Sequence, residues 1–185
     1  MGLLVVKFGG SSVASIEKIR NIAERVAAMR TEGNQVVVVV SAMGDTTDDL
    51  IDLACATGDQ QWHREMDMLL ATGEQQSAAL LAMSLNSMGT PAISLTGWQA
   101  GIRSDGTHSK ARIISIANER ILQELEQENV VVIAGFQGLS PQGDITTLGR
   151  GGSDTTAVAL AASLLADRCI IFTDVDGVFT ADPRL

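Results

Sequence analysis

Short runs of apolar residues alternate along the chain with longer segments in which apolar side chains recur every three or four positions. Residues 3–8 and 36–40 are continuous apolar runs, interrupted only by Lys7, and such runs are typical of strands buried on both faces. Between them, residues 16–29 carry apolar side chains at helical spacing. A strand, a helix and a strand in this order predict a βαβ unit, and such units build parallel sheets covered by helices.

The same alternation continues to the end of the chain. Further strands are predicted at residues 92–95, 112–116, 130–134 and 170–173. Helices are predicted at residues 48–56, 62–70, 74–88 and 153–166, and after a capping Asn118, with a break between the second and third of them at Thr72 and Gly73. The sequence contains no repeat, low-complexity tract or Pro/Ser-rich linker, so one α/β domain over residues 1–185 is expected.

Composition restricts the possible partners. The formal net charge of −9 argues against nucleic acid, which needs a basic surface, but not against ATP, for which a few local cations suffice. The two cysteines have no neighbouring His or Cys, which fits a reducing compartment and excludes a clustered zinc site. No apolar run approaches the ~20 residues of a membrane span. A cytoplasmic protein without a membrane partner or a resident metal is expected.

The first candidate site is the segment Lys-Phe-Gly-Gly-Ser-Ser at residues 7–12, in which a strand enters a glycine-rich turn ahead of a helix. Adjacent glycines allow backbone N–H groups to approach an anion, and Lys7 would place an ammonium beside it. The segment is not a Walker A loop, whose lysine follows its glycines. A tight turn with a solvated lysine explains the pattern equally well.

The second candidate is Gly-Arg-Gly-Gly-Ser-Asp-Thr-Thr at residues 149–156, which also opens a helix. The Arg150 guanidinium suits a carboxylate or a phosphate. Ser153 or Asp154 could simply cap the helix. An arginine held between glycines has less reason to exist structurally, so a functional interpretation is favoured here.

The third candidate is Thr-Asp-Val-Asp-Gly-Val-Phe at residues 173–179, which follows a buried strand. In open α/β sheets, ligands lie beyond the carboxyl ends of the strands, although a polar turn is a common alternative. The Asp-x-Asp-Gly pattern also resembles the nucleophile motif of haloacid-dehalogenase-type phosphatases. Because that family places the motif near the start of its domain, and eight residues follow Gly177 here, we set this interpretation aside.

Weaker signals lie elsewhere in the chain. Ser41 and Thr47 offer hydroxyls after the strand at 36–40, where ordinary turn and capping chemistry is the alternative. Glu74 is predicted in the first turn of a helix, where it could do no more than complement the helix dipole. His108, like His63, has no partner at catalytic spacing, and neither is given a role.

Together these segments resemble the aspartokinase branch of the amino-acid kinase family. The signature Lys-Phe-Gly-Gly-(Ser/Thr)-Ser-Val matches residues 7–13. The remaining segments follow in the family's order, at residues 41–47, 66–74, 135–138, 147–156 and 173–184. The similarity covers essentially the whole chain and is closest to the monofunctional bacterial type.

This resemblance implies a three-layer α/β/α sandwich with a mostly parallel sheet, the carbamate kinase-like fold. It implies transfer of the γ-phosphate of ATP, bound with Mg²⁺, to the side-chain carboxylate of L-aspartate, which gives 4-phospho-L-aspartate for lysine, threonine and methionine biosynthesis. It also implies a homo-oligomer or association with regulatory ACT subunits. The alternatives are a sister kinase acting on acetylglutamate, glutamate or UMP, and a non-catalytic assembly fragment.

The resemblance also implies roles for individual residues. Lys7 and Asp154 would be catalytic, with Asp154 orienting Lys7. Arg150 would bind the α-carboxylate of aspartate and Glu74 its α-ammonium. The amino-acid side of the site would be completed by Ser41, Thr47 and Ser153. The nucleotide would be bound by Lys7, Phe8, Gly9, Gly10, Ser11, Thr173, Asp174, Phe179, Thr180, Asp182 and Arg184.

Two departures from the family pattern are visible. Phe179 is often Tyr in the family, so a hydroxyl contact would be lost there. Family kinase domains continue beyond a point matching Leu185, and the continuation carries a further nucleotide-site lysine. The resemblance therefore implies a catalytic domain that is incomplete at its C-terminal, nucleotide-side end and lacks ACT domains, and an inactive fragment is one of the alternatives.

Overall fold

The computed structural model describes residues 2–58 and 62–173, which form two sheets and five helices. The strands of the main sheet are β1 (Leu3–Phe8), β2 (Gln35–Val40), β3 (Ala92–Leu95), β6 (Val130–Ala134) and β9 (Arg168–Phe172). They lie in the order β3-β6-β2-β1-β9, and all neighbours are parallel. The small sheet, in the order β5-β4-β7-β8, comprises β4 (Ile102–Ser104), β5 (Ile113–Ile116), β7 (Gln137–Leu139) and β8 (Ile145–Thr147). The helices are α1 (Ile16–Thr31), α2 (Thr46–Ala56), α3 (His63–Ser87), α4 (Glu119–Glu126) and α5 (Gly152–Ser163).

Both faces of the three central strands, β6, β2 and β1, are buried, which explains their long apolar runs in the sequence. Alternate residues of one strand serve opposite cores: Val38 of β2 packs with α1 and α3, whereas Val37 and Val39 pack with α4 and α5. All three valines are completely buried. The helices therefore lie in two layers with the sheet between them, and the predicted three-layer α/β/α architecture is confirmed.

The predicted helix break at Thr72 and Gly73 is wrong, because α3 runs unbroken from His63 to Ser87. Gly73 has a packing role instead: a Cβ built there would lie 2.9 Å from the Cβ of Ala42. The missing side chain lets α3 approach the segment that follows β2. Glu74 consequently lies in the middle of a long helix, and the prediction that it occupies a first turn is also wrong.

The small sheet was not predicted, apart from the strand at 112–116, which corresponds to β5. Its other strands are three residues long, too short to show a period of two. They also bury polar side chains, such as Ser104, whose hydroxyl lies 2.7 Å from that of Thr146. Gln137 is fully buried and its amide donates to the carbonyl of Ala71 at 2.9 Å. Where buried polar side chains are hydrogen-bonded, a strand lacks the apolar alternation from which strands are predicted.

Within the described residues, no helix has both the length and the apolar character that crossing a membrane requires.

The contact at Gly73 can be tested by Gly73→Val, which places a branched side chain against Ala42 where even one carbon is too close. We expect a loss of about 1–3 kcal/mol in the free energy of unfolding, measured by denaturant titration, because packed interiors resist added volume. Gln76→Val is the control, since it puts the same residue on an exposed position of α3. An unchanged free energy of unfolding in Gly73→Val would contradict the packing role, because valine has a better helix propensity than glycine and only the contact with Ala42 can lower the stability.

Candidate active site

An open cleft of about 1010 Å³ lies where the main sheet's strands end. It is bordered by segments that follow β1, β2 and β8, by the start of α5 and by the middle of α3. Eight of the predicted site residues line it together: Lys7, Gly10, Ser41, Thr47, Glu74, Arg150, Ser153 and Asp154. The two glycine-rich segments singled out in the sequence thus face the same space, as expected for parallel strands that share a carboxyl edge.

An ion pair joins the two segments directly. The ammonium of Lys7, at the end of β1, lies 2.6 Å from Oδ1 of Asp154 in the first turn of α5. Lys7 is only 8% exposed, so its charge requires a partner, and Asp154 supplies it from the more exposed side of the cleft. A Cβ built at Gly9 would lie 3.4 Å from the Lys7 ammonium, so the glycine-rich turn passes directly beside it.

The turn after β1 differs in one respect from prediction. Residues Gly10–Val13 form a 3-10 turn, and α1 begins only at Ile16, where the Ser15 hydroxyl accepts the Lys18 N–H at 3.2 Å. The N-terminus of α1 is therefore capped by the protein itself and does not open directly from the glycines. Gly10 instead contacts the segment after β2, accepting a hydrogen bond from the Gly44 N–H at 3.1 Å.

The start of α5 has no side-chain cap. Its N-cap is Gly151, with a left-handed φ of 72°, and neither Ser153 nor Asp154 serves as the cap. The capping alternative for these two residues is therefore wrong. Gly135, at the end of β6, lets α5 come close, because a Cβ there would lie 2.8 Å from the Ser153 hydroxyl. The first turn of α5 thus borders the cleft with its amide-rich, positively polarised end.

Glu74 is the most unusual group of the cleft. It is 4% exposed, its Oε1 accepts the Ala42 N–H at 3.2 Å, and its Oε2 has no hydrogen-bond partner in the described part of the chain. Burial raises the pKa of Glu74 to about 7, and the hydrogen bonds from backbone amides oppose this only in part. A buried carboxylate with one unsatisfied oxygen at a cleft is suited to receiving a cationic group.

Not all the predicted nucleotide residues line this cleft. Phe8, Ser11 and Thr173 border a neighbouring depression of about 470 Å³. Phe8 is 2% exposed and stacks on Phe172 with ring centres 4.9 Å apart, so its side chain belongs to the core. The guanidinium of Arg25 lies 4.8 Å from the centre of the same Phe172 ring. The predicted residues Asp174, Phe179, Thr180, Asp182 and Arg184 lie outside the described residues.

Sequence reasoning missed the wall formed by Ser109 and Lys110, which lines the same cleft. No glycine motif marks this segment. Sequence reasoning also left His108 without a partner, whereas its Nδ1 lies 2.7 Å from Asp67, a completely buried carboxylate of α3. The one available signal was the spacing of Asp67 and Glu74, which are two helical turns apart and therefore share a face.

The chain resembles known proteins over its whole length. Residues 2–185 match the model of the amino acid kinase family. The chain is 60% identical over 184 residues to aspartokinase 2 of Bacillus subtilis, covering all of this chain and 45% of that protein. It is 58% identical over 186 residues to the aspartokinase of Mycolicibacterium smegmatis, covering 44% of that protein. The chain thus spans less than half the length of these curated relatives, and the predicted resemblance to aspartokinases is confirmed.

Solved structures agree with this. The aspartate kinase of Synechocystis superposes with a TM-score of 0.82 at 50% identity, covering 98% of this chain and 30% of that one. E. coli aspartokinase III, solved in complex with aspartate and ADP, also gives a TM-score of 0.82, at 27% identity, covering 98% of this chain and 51% of that one. The predicted fold class is confirmed by these neighbours.

The buried state of Glu74 predicts a pH-dependent stability. The pKa of Glu74 is higher in the folded chain, at about 7, than its ordinary value of 4.5. The folded state therefore binds the proton more tightly, and this contribution to stability is present at low pH and is lost as the pH rises towards 7. Glu74→Gln cannot ionise. We compare the free energy of unfolding of Glu74→Gln with that of the parent. As the pH rises from 4.5 to 8, we expect this difference to shift in favour of the variant by on the order of 2 kcal/mol.

Denaturant titrations at both pH values measure this difference. Glu24→Gln, which removes an exposed carboxylate from α1, is the matched control. If the free energy of unfolding of both variants depends on pH in the same way as that of the parent, the carboxylate of Glu74 does not have the raised pKa described here.

Proposed function

The chain belongs to the amino acid kinase family, and we propose that residues 1–185 are the catalytic domain of an aspartate kinase, incomplete at its nucleotide-side end. In this proposal the domain transfers the γ-phosphate of ATP to the side-chain carboxylate of L-aspartate. The single observation that carries it is the Lys7–Asp154 ion pair, which joins two glycine-rich segments in the cleft that also holds Glu74 and Arg150. The names of the similar proteins support the choice of substrate.

On the acceptor side, each charged group of L-aspartate has a complement in the cleft. Arg150 is assigned to the α-carboxylate, for which a guanidinium fork is well shaped. Glu74 is assigned to the α-ammonium, whose approach would satisfy its unpaired oxygen and stabilise the ionised carboxylate. Further polar contacts to the acceptor are assigned to Ser41, Thr47 and Ser153.

On the donor side, Lys7 and the amides of Gly9 and Gly10 are assigned to the transferring phosphate. A carboxylate is already a nucleophile and needs no general base, so catalysis reduces to alignment and to neutralising charge on the phosphoryl group. Asp154 orients Lys7 for this task. Mg²⁺ enters as part of the MgATP substrate. The remaining nucleotide contacts are assigned to Phe8, Ser11, Thr173, Asp174, Phe179, Thr180, Asp182 and Arg184.

The wider proposal follows from the same resemblance. The protein would act in the cytoplasm, in the biosynthesis of lysine, threonine and methionine, as a homo-oligomer or with regulatory ACT subunits. The sister kinases for acetylglutamate, glutamate and UMP share glycine-rich phosphate loops. They do not share the pairing of Gly-Glu at residues 73–74 with Gly-Arg-Gly-Gly-Ser-Asp-Thr-Thr at residues 149–156.

A coupled assay of ADP formation with and without L-aspartate tests the proposal directly. We expect ADP formation that depends on L-aspartate, and trapping of the acyl phosphate with hydroxylamine only when L-aspartate is the acid supplied. Trapping with glutamate or acetylglutamate instead would assign a sister activity. No activity, together with no thermal stabilisation by MgATP and L-aspartate, would favour the non-catalytic assembly fragment.

Replacement of the lysine tests its transition-state role. For Lys7→Ala we expect turnover to fall by on the order of 10²-fold or more, with a much smaller change in apparent affinity for aspartate, since the charge acts on the phosphoryl group in flight. Asp154→Asn, which keeps the lysine and removes only its partner, should lose less. Steady-state kinetics measure both, and an equal loss in turnover and aspartate affinity for Lys7→Ala would contradict the role.

Replacement of the arginine tests the acceptor side. For Arg150→Ala we expect mainly a raised KM for aspartate, by about tenfold or more, because a charge-assisted contact to the acceptor is lost. Arg103→Ala is the control, since Arg103 is exposed on β4 and does not line the cleft. An unchanged KM for aspartate in Arg150→Ala would mean that the amino-acid assignment is wrong.

A further inference from the structure

Two cations of the cleft have no partner of opposite charge. Lys110 and Arg150 both line it with exposed side chains, and neither makes an ion pair or side-chain hydrogen bond with any residue in 2–58 or 62–173. The third cation, Lys7, is paired with Asp154. The carboxylates that also line the cleft, those of Asp48, Glu74 and Asp154, form no ion pair with these two cations, so both remain available to an anionic group of a ligand. Arg150 has an assigned role, whereas Lys110 has none.

The backbone on both sides of Lys110 is fixed. The Ser109 N–H donates to both carboxylate oxygens of Asp67, at 3.1 and 3.0 Å. The Ala111 N–H donates to the carbonyl of Thr147 at 2.9 Å. Ser109 adopts a left-handed φ of 65°, a conformation that a serine keeps only where its surroundings impose it. The backbone of Lys110 is therefore fixed by hydrogen bonds of both neighbouring residues.

Asp67 is the centre of this arrangement. Its completely buried carboxylate also accepts the Thr147 hydroxyl at 2.6 Å and lies 2.7 Å from Nδ1 of His108. Thr147 ends β8 and leads into the turn that carries Arg150. The two segments touch as well, because a Cβ built at Gly149 would lie 3.4 Å from the carbonyl oxygen of Ser109. One carboxylate thus holds the segments that bear both unpaired cations.

The helix that carries Asp67 also carries Glu74. The two residues are separated by seven positions, or two turns, and lie on the same face of α3. Glu74 contacts the Ala42 N–H after β2, while Asp67 contacts the segments at 108–109 and at Thr147. A single rigid helix therefore sets the distance between the two walls of the cleft.

We propose that Lys110 is a further anion-binding residue of the cleft and that Asp67 is the positioning residue that holds it beside Arg150. With L-aspartate as the acceptor, which rests on the proposed function, the ligand carries two carboxylates. Arg150 supplies the cation for one of them, and Lys110 supplies a second cation on the same wall.

Lys110→Met tests the binding role, because it removes the charge and keeps most of the side-chain length. We expect the KM for L-aspartate to rise about tenfold, with turnover within about threefold of the parent and the KM for ATP unchanged, since a charge-assisted contact to the acceptor is lost. Arg112→Gln is the matched control: it removes an exposed cation two positions away that does not line the cleft. A KM for L-aspartate in Lys110→Met within twofold of the control would overturn the proposal.

Asp67→Asn tests the positioning role. The amide retains the size and one acceptor oxygen of the carboxylate but removes its charge and places an NH₂ group among three donors. We expect a raised KM for L-aspartate and little further rise when Lys110→Met is added, because both changes act through the same cation. Losses that multiply in the double variant, or a lower Tm with an unchanged KM in Asp67→Asn, would show that Asp67 is only structural.

A binding measurement separates this inference from the proposed function. If the protein that carries this chain forms no ADP with L-aspartate, the proposed function fails, and thermal stabilisation by inorganic pyrophosphate then decides about Lys110. We expect stabilisation of the parent and of Arg112→Gln, and a clearly smaller shift for Lys110→Met and Asp67→Asn. No shift of the parent, or equal shifts in all four proteins, would overturn the anion-binding role.

Discussion

The burial of both faces of the central strands β6, β2 and β1 is the constraint on which the rest of the structure depends. A parallel strand covered by helices on each side must be apolar at every position, as β2 is from Val36 to Val40. Polar chemistry is then possible only where strands end. Lys7 lies one residue before the end of β1, and its ammonium reaches the cleft, where it pairs with Asp154. The candidate site therefore lies at the ends of the strands, because the buried strands themselves exclude water and most polar side chains.

The helix α3 connects this edge with the small sheet. Gly73 brings it against the segment after β2, and two buried carboxylates on one face, Asp67 and Glu74, contact opposite sides of the cleft. The two carboxylates differ in how many of their oxygens are hydrogen-bonded. The oxygens of Asp67 accept hydrogen bonds from the Ser109 N–H and the Thr147 hydroxyl, whereas Glu74 keeps one unsatisfied oxygen and a raised pKa of about 7. A satisfied carboxylate serves structure, and an unsatisfied one is available to a ligand.

The distribution of charge across the cleft supports the same division. Lys7 and Asp154 neutralise one another at the junction of the two glycine-rich segments. Lys110 and Arg150, on the wall held by Asp67, have no such partner in the described part of the chain. A ligand in the cleft would therefore meet the two unpaired cations, Lys110 and Arg150, on one wall and the unpaired carboxylate of Glu74 on another. This asymmetry suits an acceptor that carries both kinds of charge.

The sequence by itself determined the parallel sheet, the main helices and the two glycine-rich segments, because these depend on local periodicity and on residues adjacent along the chain. It did not determine the continuity of α3, since Gly73 breaks helices by local propensity and is tolerated here only because a neighbouring segment packs against it. Nor did it reveal the small sheet or the role of Asp67, which depend on polar partners more than forty positions away. Only the tertiary structure decides such contacts, because a buried polar group is defined by its partners and those partners are brought together by folding.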